Sequence, residues 1–410
     1  MRLTAEEQAM LAGRDGEAVQ TAMEILVKMG EMYGAERMLD VDSVHIVLAM
    51  YKSIYDAGVE VVEKFAGMGG RFKVPTTLDP CGMDTERWAE FRTPPEYADK
   101  QLRVNRAYEK MGAIPIWTCT PYLTGNLPRF GQHVAWTESS AVCFINSIIG
   151  ARSNRETAVI DVAAGLTGKI PEHGLHLTEN RRGRLLVEVD PSLELSSRDV
   201  VALGYYIGKQ AGSRVPVVTG LRPDIKMDTL KAMMAALAAS GGVALCLLVG
   251  ISPEARTVEE AFQGRTPEAI IPFGAAELEA TKAEMSTVSS AKIDLVAVGC
   301  PHYSITEIGE VLRALNGRRV APETEFWIYL TKQTATLAER LGYRAALEAL
   351  GVRFCLETCM LISPIETWGF KTLMTDSGKC AYYAPMQCKT EVVFGSTAEC
   401  VEAAVAGRVG

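Results

Sequence analysis

The stretch Ile293 to Ser304 narrows the fold of this chain more than any other. An apolar run of strand length halts at Gly299, a thiol and an imidazole follow at Cys300 and His302, and Ser304 with Glu307 forms an S-x-x-E capping box that opens a helix. Strand, chemical loop and helix in that order describe one unit of an open parallel sheet, in which ligands collect beyond the carboxyl ends of strands. The pattern recurs on both sides of it. Ser197 to Lys209, Met227 to Ala239, Gly274 to Glu284 and Thr334 to Ala349 read as helices, and Val215 to Thr219, Val243 to Val249 and Glu325 to Leu330 as strands. Such alternation predicts an α/β fold of doubly wound sheets with helices on both faces.

The N-terminal part reads differently. Thr4 and Glu7 form another capping box, and Glu17 to Met32 and Val47 to Phe65 carry apolar residues at helical spacing. Between them Ser43 to Ile46 is a short β-like piece whose His45 is read as structural. The expected division is an N-terminal α/β part over 1–195, a middle α/β subdomain over 196–315 and a C-terminal one over 316–410, arranged around a central cleft.

Composition excludes several functions. The formal charge is −8 and no dense Lys/Arg run occurs, so no nucleic-acid partner is expected. No run of about 18 apolar residues is present, so no membrane span is expected. The N-terminus lacks a signal-like apolar region, and the expected location is the cytoplasm. There the ten cysteines are expected as free thiols serving catalysis or metal binding, not as disulfides. P-loop, G-x-G-x-x-G and C-x-x-C motifs are all missing from the sequence.

Three cysteines end strand-like runs: Cys119 after Ala113 to Trp117, Cys300 after Ile293 to Val298, and Cys359 after Gly351 to Leu356. Period two puts Cys355, Glu357 and Cys359 on one face of an extended strand, with Cys355 in the core and Cys359 at the exit. Three thiolates meeting at one place could hold an iron–sulfur cluster or a single iron with an open position for substrate. The rival use is a cysteine nucleophile with a histidine base, Cys300 with His302 or Cys119 with His133.

Polar segments supply the remaining candidates. Gly67 to Arg71, followed by Thr76 and Thr77, could hold a carboxylate or phosphate on Arg71 and the two hydroxyls. A polar track runs through Asn126, His133, Ser139, Ser140, Arg152 and Asn154, whose buried groups require partners such as a polar substrate. His173 and His176 share a loop, although Pro171 and Gly174 argue against a helical metal pair. Ser377 to Lys379 is a turn suited to an anion.

Taken together, W-T-C-T-P-Y, T-G-N-L-P, W-T-E-S-S-A-V, N-S-I-I-G-A-R-S-N-R-E, G-C-P-H-Y-S and E-T-C resemble the large subunit of aconitase X, a branch of the aconitase superfamily. The resemblance runs from G-G-R-F-K-V-P-T-T to the strand ending in S-G-K. It implies an aconitase-like fold and a hydro-lyase that removes water from a small hydroxy acid. Cys119, Cys300 and Cys359 look like ligands of an iron–sulfur cluster, [2Fe–2S] or [4Fe–4S], or of mononuclear iron. Thr76, Ser139, Ser140, Arg152, Asn154 and Lys379 look like substrate or neighbouring residues, and His302 like a residue behind the ligands.

The family's substrates are cis-3-hydroxy-L-proline and mevalonate 5-phosphate. The first is preferred, because phosphate calls for a basic cluster and only Arg71, Arg152, Arg155 and Lys379 are on offer. The family's small swivelling domain, which carries a serine base, does not follow the last helix here and is expected as a separate subunit. A metal-free cysteine enzyme and a noncatalytic iron-binding protein are the alternatives of other classes.

Overall fold

A computed structural model describes residues 1–47, 49–289 and 291–410. Three parallel sheets carry the architecture. The N-terminal sheet has the order Thr76–Leu78, Val44–Ile46, Ala135–Trp136. A four-stranded sheet runs Leu247–Leu248, Pro216–Thr219, Leu185–Val189, Ala269–Phe273. A five-stranded sheet runs Val352–Leu356, Glu325–Leu330, Leu295–Val298, Thr372–Thr375, Glu391–Phe394. Parallel strands require helical crossovers, which explains the helix after nearly every strand. Among the described residues no helix is long and apolar enough to cross a membrane.

The expected divisions at 195 and 315 do not follow these sheets. Leu185–Val189 pairs with Pro216–Thr219 and Ala269–Phe273, so the second sheet begins before 195. Leu295–Val298 pairs with Glu325–Leu330 and Thr372–Thr375, so the third begins before 315. A crossover helix belongs with the sheet it covers, and the sequence rhythm does not say which strands it joins.

Local readings differ in four places. Ala113 to Cys119 is not a strand; Trp117 makes a single bridge to Leu78, in a segment where Pro115 interrupts the ladder donors. Val243 to Val249 contributes only Leu247–Leu248. The helix expected from Thr334 to Ala349 is two, Lys332–Arg340 and Tyr343–Ala349, broken where Gly342 adopts φ 73°. The chain leaves the strand at Leu356, and Glu357 has φ 60°, so the period-two register relating Cys355 to Cys359 is lost.

The capping boxes at Thr4 and Ser304 are formed as the sequence predicts, and Ser396 with Glu399 forms another. The largest buried cluster joins residues of all three sheet regions, among them Trp136, Val187, Leu295 and Trp327, and contains Cys300 and Cys359. The cysteines therefore lie where the three units pack together.

Candidate active site

Gly299 sets the first loop. Its φ is 96°, and a Cβ there would stand 2.2 Å from the Tyr329 carbonyl oxygen, so only glycine lets the chain turn out of Leu295–Val298 against the next strand. Cys300 follows, 5% exposed. Its thiol faces Cys359 and Ser377. The hydrogen bond from Cys359, with the charge of Lys379 behind it, holds Cys300 below the usual thiol range despite burial, while Cys359 is pushed up by the same contact. Burial raises Cys119. The 359 loop is closed by the Leu361 amide donating to Cys359 Sγ at 3.4 Å.

His302 ties the three loops together. Its backbone N–H donates to Cys119 Sγ at 3.3 Å. Nε2 lies 2.7 Å from the Thr358 carbonyl, which can only accept, so Nε2 carries a proton. Burial brings the ring's pKa down to about 4, and the neutral ring then accepts at Nδ1 from the Thr118 hydroxyl at 3.0 Å. One imidazole thus bonds to the neighbours of Cys119 and Cys359 and lies two residues from Cys300. As a general base it is occupied on both nitrogens.

A polar wall adjoins the thiols. Glu138 caps the short helix Ser139–Phe144, accepting from the Ala141 N–H at 2.5 Å and from the Ser140 hydroxyl at 2.7 Å. Its other oxygen is hydrogen-bonded to Lys379, whose ammonium also reaches Ser139 Oγ and Ser140 Oγ at 3.5 Å each. Burial opposes ionisation of Glu138, but the Lys379 charge and these hydrogen bonds outweigh it and bring its pKa down to about 2. Burial is the largest single influence on Lys379 and opposes its charge, but Glu138, by charge and hydrogen bond, together with Cys300 and Cys119 outweighs it and holds the pKa well above the usual lysine range.

On the far side, Thr77 Oγ1 accepts from Asn126 Nδ2 at 2.9 Å and lies 2.9 Å from His45 Nδ1. His45 Nε2 and Asp79 Oδ1 face each other at 3.8 Å, both buried without a hydrogen-bond partner. Burial, followed by the Glu138 charge, raises Asp79 well above the carboxylate range. Burial lowers His45 to about 4, against the opposing pull of Glu138 and the Thr118 backbone.

Cys119, Cys300, Cys359, His302, Ser139, Ser140 and Lys379 are accordingly brought together, with Thr77 and Asn126 beside them. Thr76 is not. It is on the opposite face of its strand from Thr77, with its hydroxyl donating to the Val74 carbonyl at 2.9 Å. Arg71 is exposed and bonded back to the Gly70 carbonyl. Arg152 and Asn154 brace another loop: Arg152 donates to the His176 carbonyl and Thr178 Oγ1, and Asn154 to the His173 carbonyl, while accepting from the Leu175 N–H.

Glu138 and Asp79 are site residues that the sequence alone does not single out, and Ser377 figures there only as the start of the turn that carries Lys379. Glu138 lay inside the W-T-E-S-S motif, but its role depends on Lys379, 241 residues away.

Among the described residues, no three His, Cys, Asp or Glu side chains are gathered so as to chelate one ion. Thiols that bind separate irons of a cluster need less convergence than ligands of a single ion. Three thiols from three loops, one biased to thiolate, fit an iron–sulfur group by their chemistry.

Family models for the aconitase X first, second and third domains match residues 1–179, 183–283 and 293–406. The chain is 42% identical over 388 residues to the phosphomevalonate dehydratase large subunit of Methanothermobacter thermautotrophicus, covering 95% of each. It is 39% identical over 412 residues to the cis-3-hydroxy-L-proline dehydratase of Pseudomonas aeruginosa, covering 99% of this chain and 70% of that protein. Its fold matches the crystal structure of holo aconitase X from Thermococcus kodakaraensis with a TM-score of 0.90 at 36% identity, covering 98% of this chain and 100% of that one. With three domain models in order and the same fold over nearly its whole length, this chain belongs to the aconitase X family and is a hydro-lyase.

Proposed function

We propose that this chain is the large, catalytic subunit of a dehydratase that converts cis-3-hydroxy-L-proline to a pyrroline carboxylate. The observation that carries the reading is the meeting of the three cysteine loops on His302 beside the Lys379, Glu138 and Ser139–Ser140 wall. Cys119, Cys300 and Cys359 would hold an iron–sulfur cluster, which supplies Lewis acidity to a departing hydroxyl. Lys379 binds the substrate carboxylate by a charge-assisted hydrogen bond, and the hydroxyls of Ser139 and Ser140 orient it. Glu138 keeps that ammonium charged and aimed.

Among the described residues Lys379 is the cation bonded into this wall, while Arg71 and Arg152 are engaged elsewhere. One cation suits a carboxylate, whereas a phosphate calls for several donors, which supports the unphosphorylated substrate. Mevalonate 5-phosphate is the second reading, favoured by relatives of that name that match over nearly their full length. Those relatives are called large subunits, which supports a small partner subunit here, carrying the serine that removes the proton beside the carboxylate. Ten free, buried thiols support a reducing compartment, the cytoplasm.

The test is to co-purify the chain with its small subunit under anaerobic conditions and measure water loss from both substrates. Turnover of cis-3-hydroxy-L-proline is expected. Turnover of mevalonate 5-phosphate alone would reverse the substrate assignment, and turnover of neither would remove both substrate assignments.

A further inference from the structure

Lys231 lies on the helix Met227–Gly241 of the second unit, yet its side chain is 2% exposed and faces the third unit. Its ammonium donates two hydrogen bonds there, one to the His302 carbonyl at 3.0 Å and one to Glu307 Oε2, and it pairs with Asp228 Oδ1 of its own helix at 3.4 Å. The carboxylates are bound in turn: Glu307 accepts from the Ser304 N–H at 2.8 Å, and Ser304 Oγ donates to Asp228 Oδ2 at 2.8 Å. The result is a closed ring, Lys231 to Glu307 to Ser304 to Asp228, with the His302 carbonyl hung on its one cation.

Burying an ammonium against two partly buried carboxylates gains little stability over an apolar contact of the same volume. A Leu or Met at 231 would join the two units at no desolvation cost. What an apolar side chain could not do is hold the carbonyl of His302, which belongs to the Cys300 loop and bonds to the other two cysteine loops. A cavity of about 320 Å³, lined by Lys231, Asp228, Glu307, Cys300 and Tyr303, borders the ring. Without the lysine, mobile water from that cavity would take over the carbonyl.

We propose that Lys231 is a positioning residue, which fixes the Cys300 to Ser304 loop through the His302 carbonyl and so sets the mutual placement of the three thiols. The placement of the loop is a property of this chain with or without metal; only its consequence for iron rests on the proposed function.

The test compares wild type with Lys231→Met, which conserves volume, and with Glu307→Gln, which weakens the ring while keeping the cap on Ser304. Hydrogen exchange of the metal-free chain reads the loop directly. Exchange over residues 300–303 is expected to rise tenfold or more in Lys231→Met and less in Glu307→Gln, with the strands Glu325–Leu330 and Val352–Leu356 still protected. The sulfur-to-iron absorption spectrum of reconstituted Lys231→Met is expected to differ from that of wild type. A lowered melting temperature with unchanged exchange at 300–303 would make Lys231 a plain structural ion pair and overturn the proposal. If Lys231→Met does not fold, Glu307→Gln decides by the same exchange readout. Failure of wild type to take up iron would strike the cofactor reading and leave the exchange comparison standing.

Discussion

The Nε2 proton of His302 is fixed on the carbonyl of Thr358 at 2.7 Å, so the residue after Cys300 and Pro301 and the residue before Cys359 are held by one bond. Groups that orient metal ligands are typically worth 10–100-fold in metal affinity. His302→Ala is therefore expected to keep the fold and lose about 10-fold or more in iron affinity, read as iron per chain after anaerobic reconstitution at limiting iron. Occupancy equal to wild type would show that the loops are held without it.

The ligand assignment separates two cysteines that are equally buried. Cys300 meets Cys359 and Ser377, whereas Cys81 is paired with Asn105 at 3.8 Å and pushed up to about 12 by burial. Cys300→Ala is expected to abolish iron binding, and Cys81→Ala to leave it intact. Equal occupancy in the two variants, measured by metal analysis, would refute the assignment.

Much of this centre is legible in the sequence, for reasons that differ by residue. Cys300 announced itself because strand, glycine, thiol and capping box are all local signals, and each local signal was realised. Cys359 does follow a strand exit, but the left-handed turn at Glu357 cancels the alternation by which the sequence singles it out. Thr76 and Thr77 could not be told apart by composition; register against Val44–Ile46 sends one hydroxyl into the site and the other toward Val74. Arg152 and Asn154 look catalytic in a one-dimensional reading because buried polar groups need partners, and here the partner is the 173–178 loop. Glu138 and Lys231 act through residues more than 70 positions away, and Asp79 faces His45 across two strands; no periodicity reports such a pairing.

The Glu138 and Lys379 pair makes a prediction about stability as well as activity. Removing one member of a buried pair strands the other charge and costs about 3–5 kcal/mol, whereas removing both charges costs less. Lys379→Met is expected to be less stable in denaturant unfolding than the double variant Glu138→Gln, Lys379→Met, although both lose turnover. If the double variant is the less stable of the two, the carboxylate is not dependent on its lysine.

Acid stability carries the signature of a histidine far from the thiols in its bonding. His176 is 2% exposed, with Nδ1 2.9 Å from His133 Nδ1 and Nε2 unpartnered. Burial, then the positive fields of His133, His173, Arg181 and Arg152, lowers its pKa to about 3, against an ordinary value of 6.5. The unfolded chain then binds the proton more readily than the folded one. The contribution is complete above pH 6.5 and falls as pH drops toward 3, by about 1.4 kcal/mol per unit. Asp79 and Asp161, raised by burial, act with the opposite sign, so the total slope is a sum, but they cancel in a comparison of variants. Unfolding free energy measured from pH 7 to pH 4 is therefore expected to fall less steeply in His176→Asn than in wild type, by about 1.4 kcal/mol per unit. Parallel curves would mean that His176 takes up its proton equally in both states, and that the His133 contact does not keep it neutral.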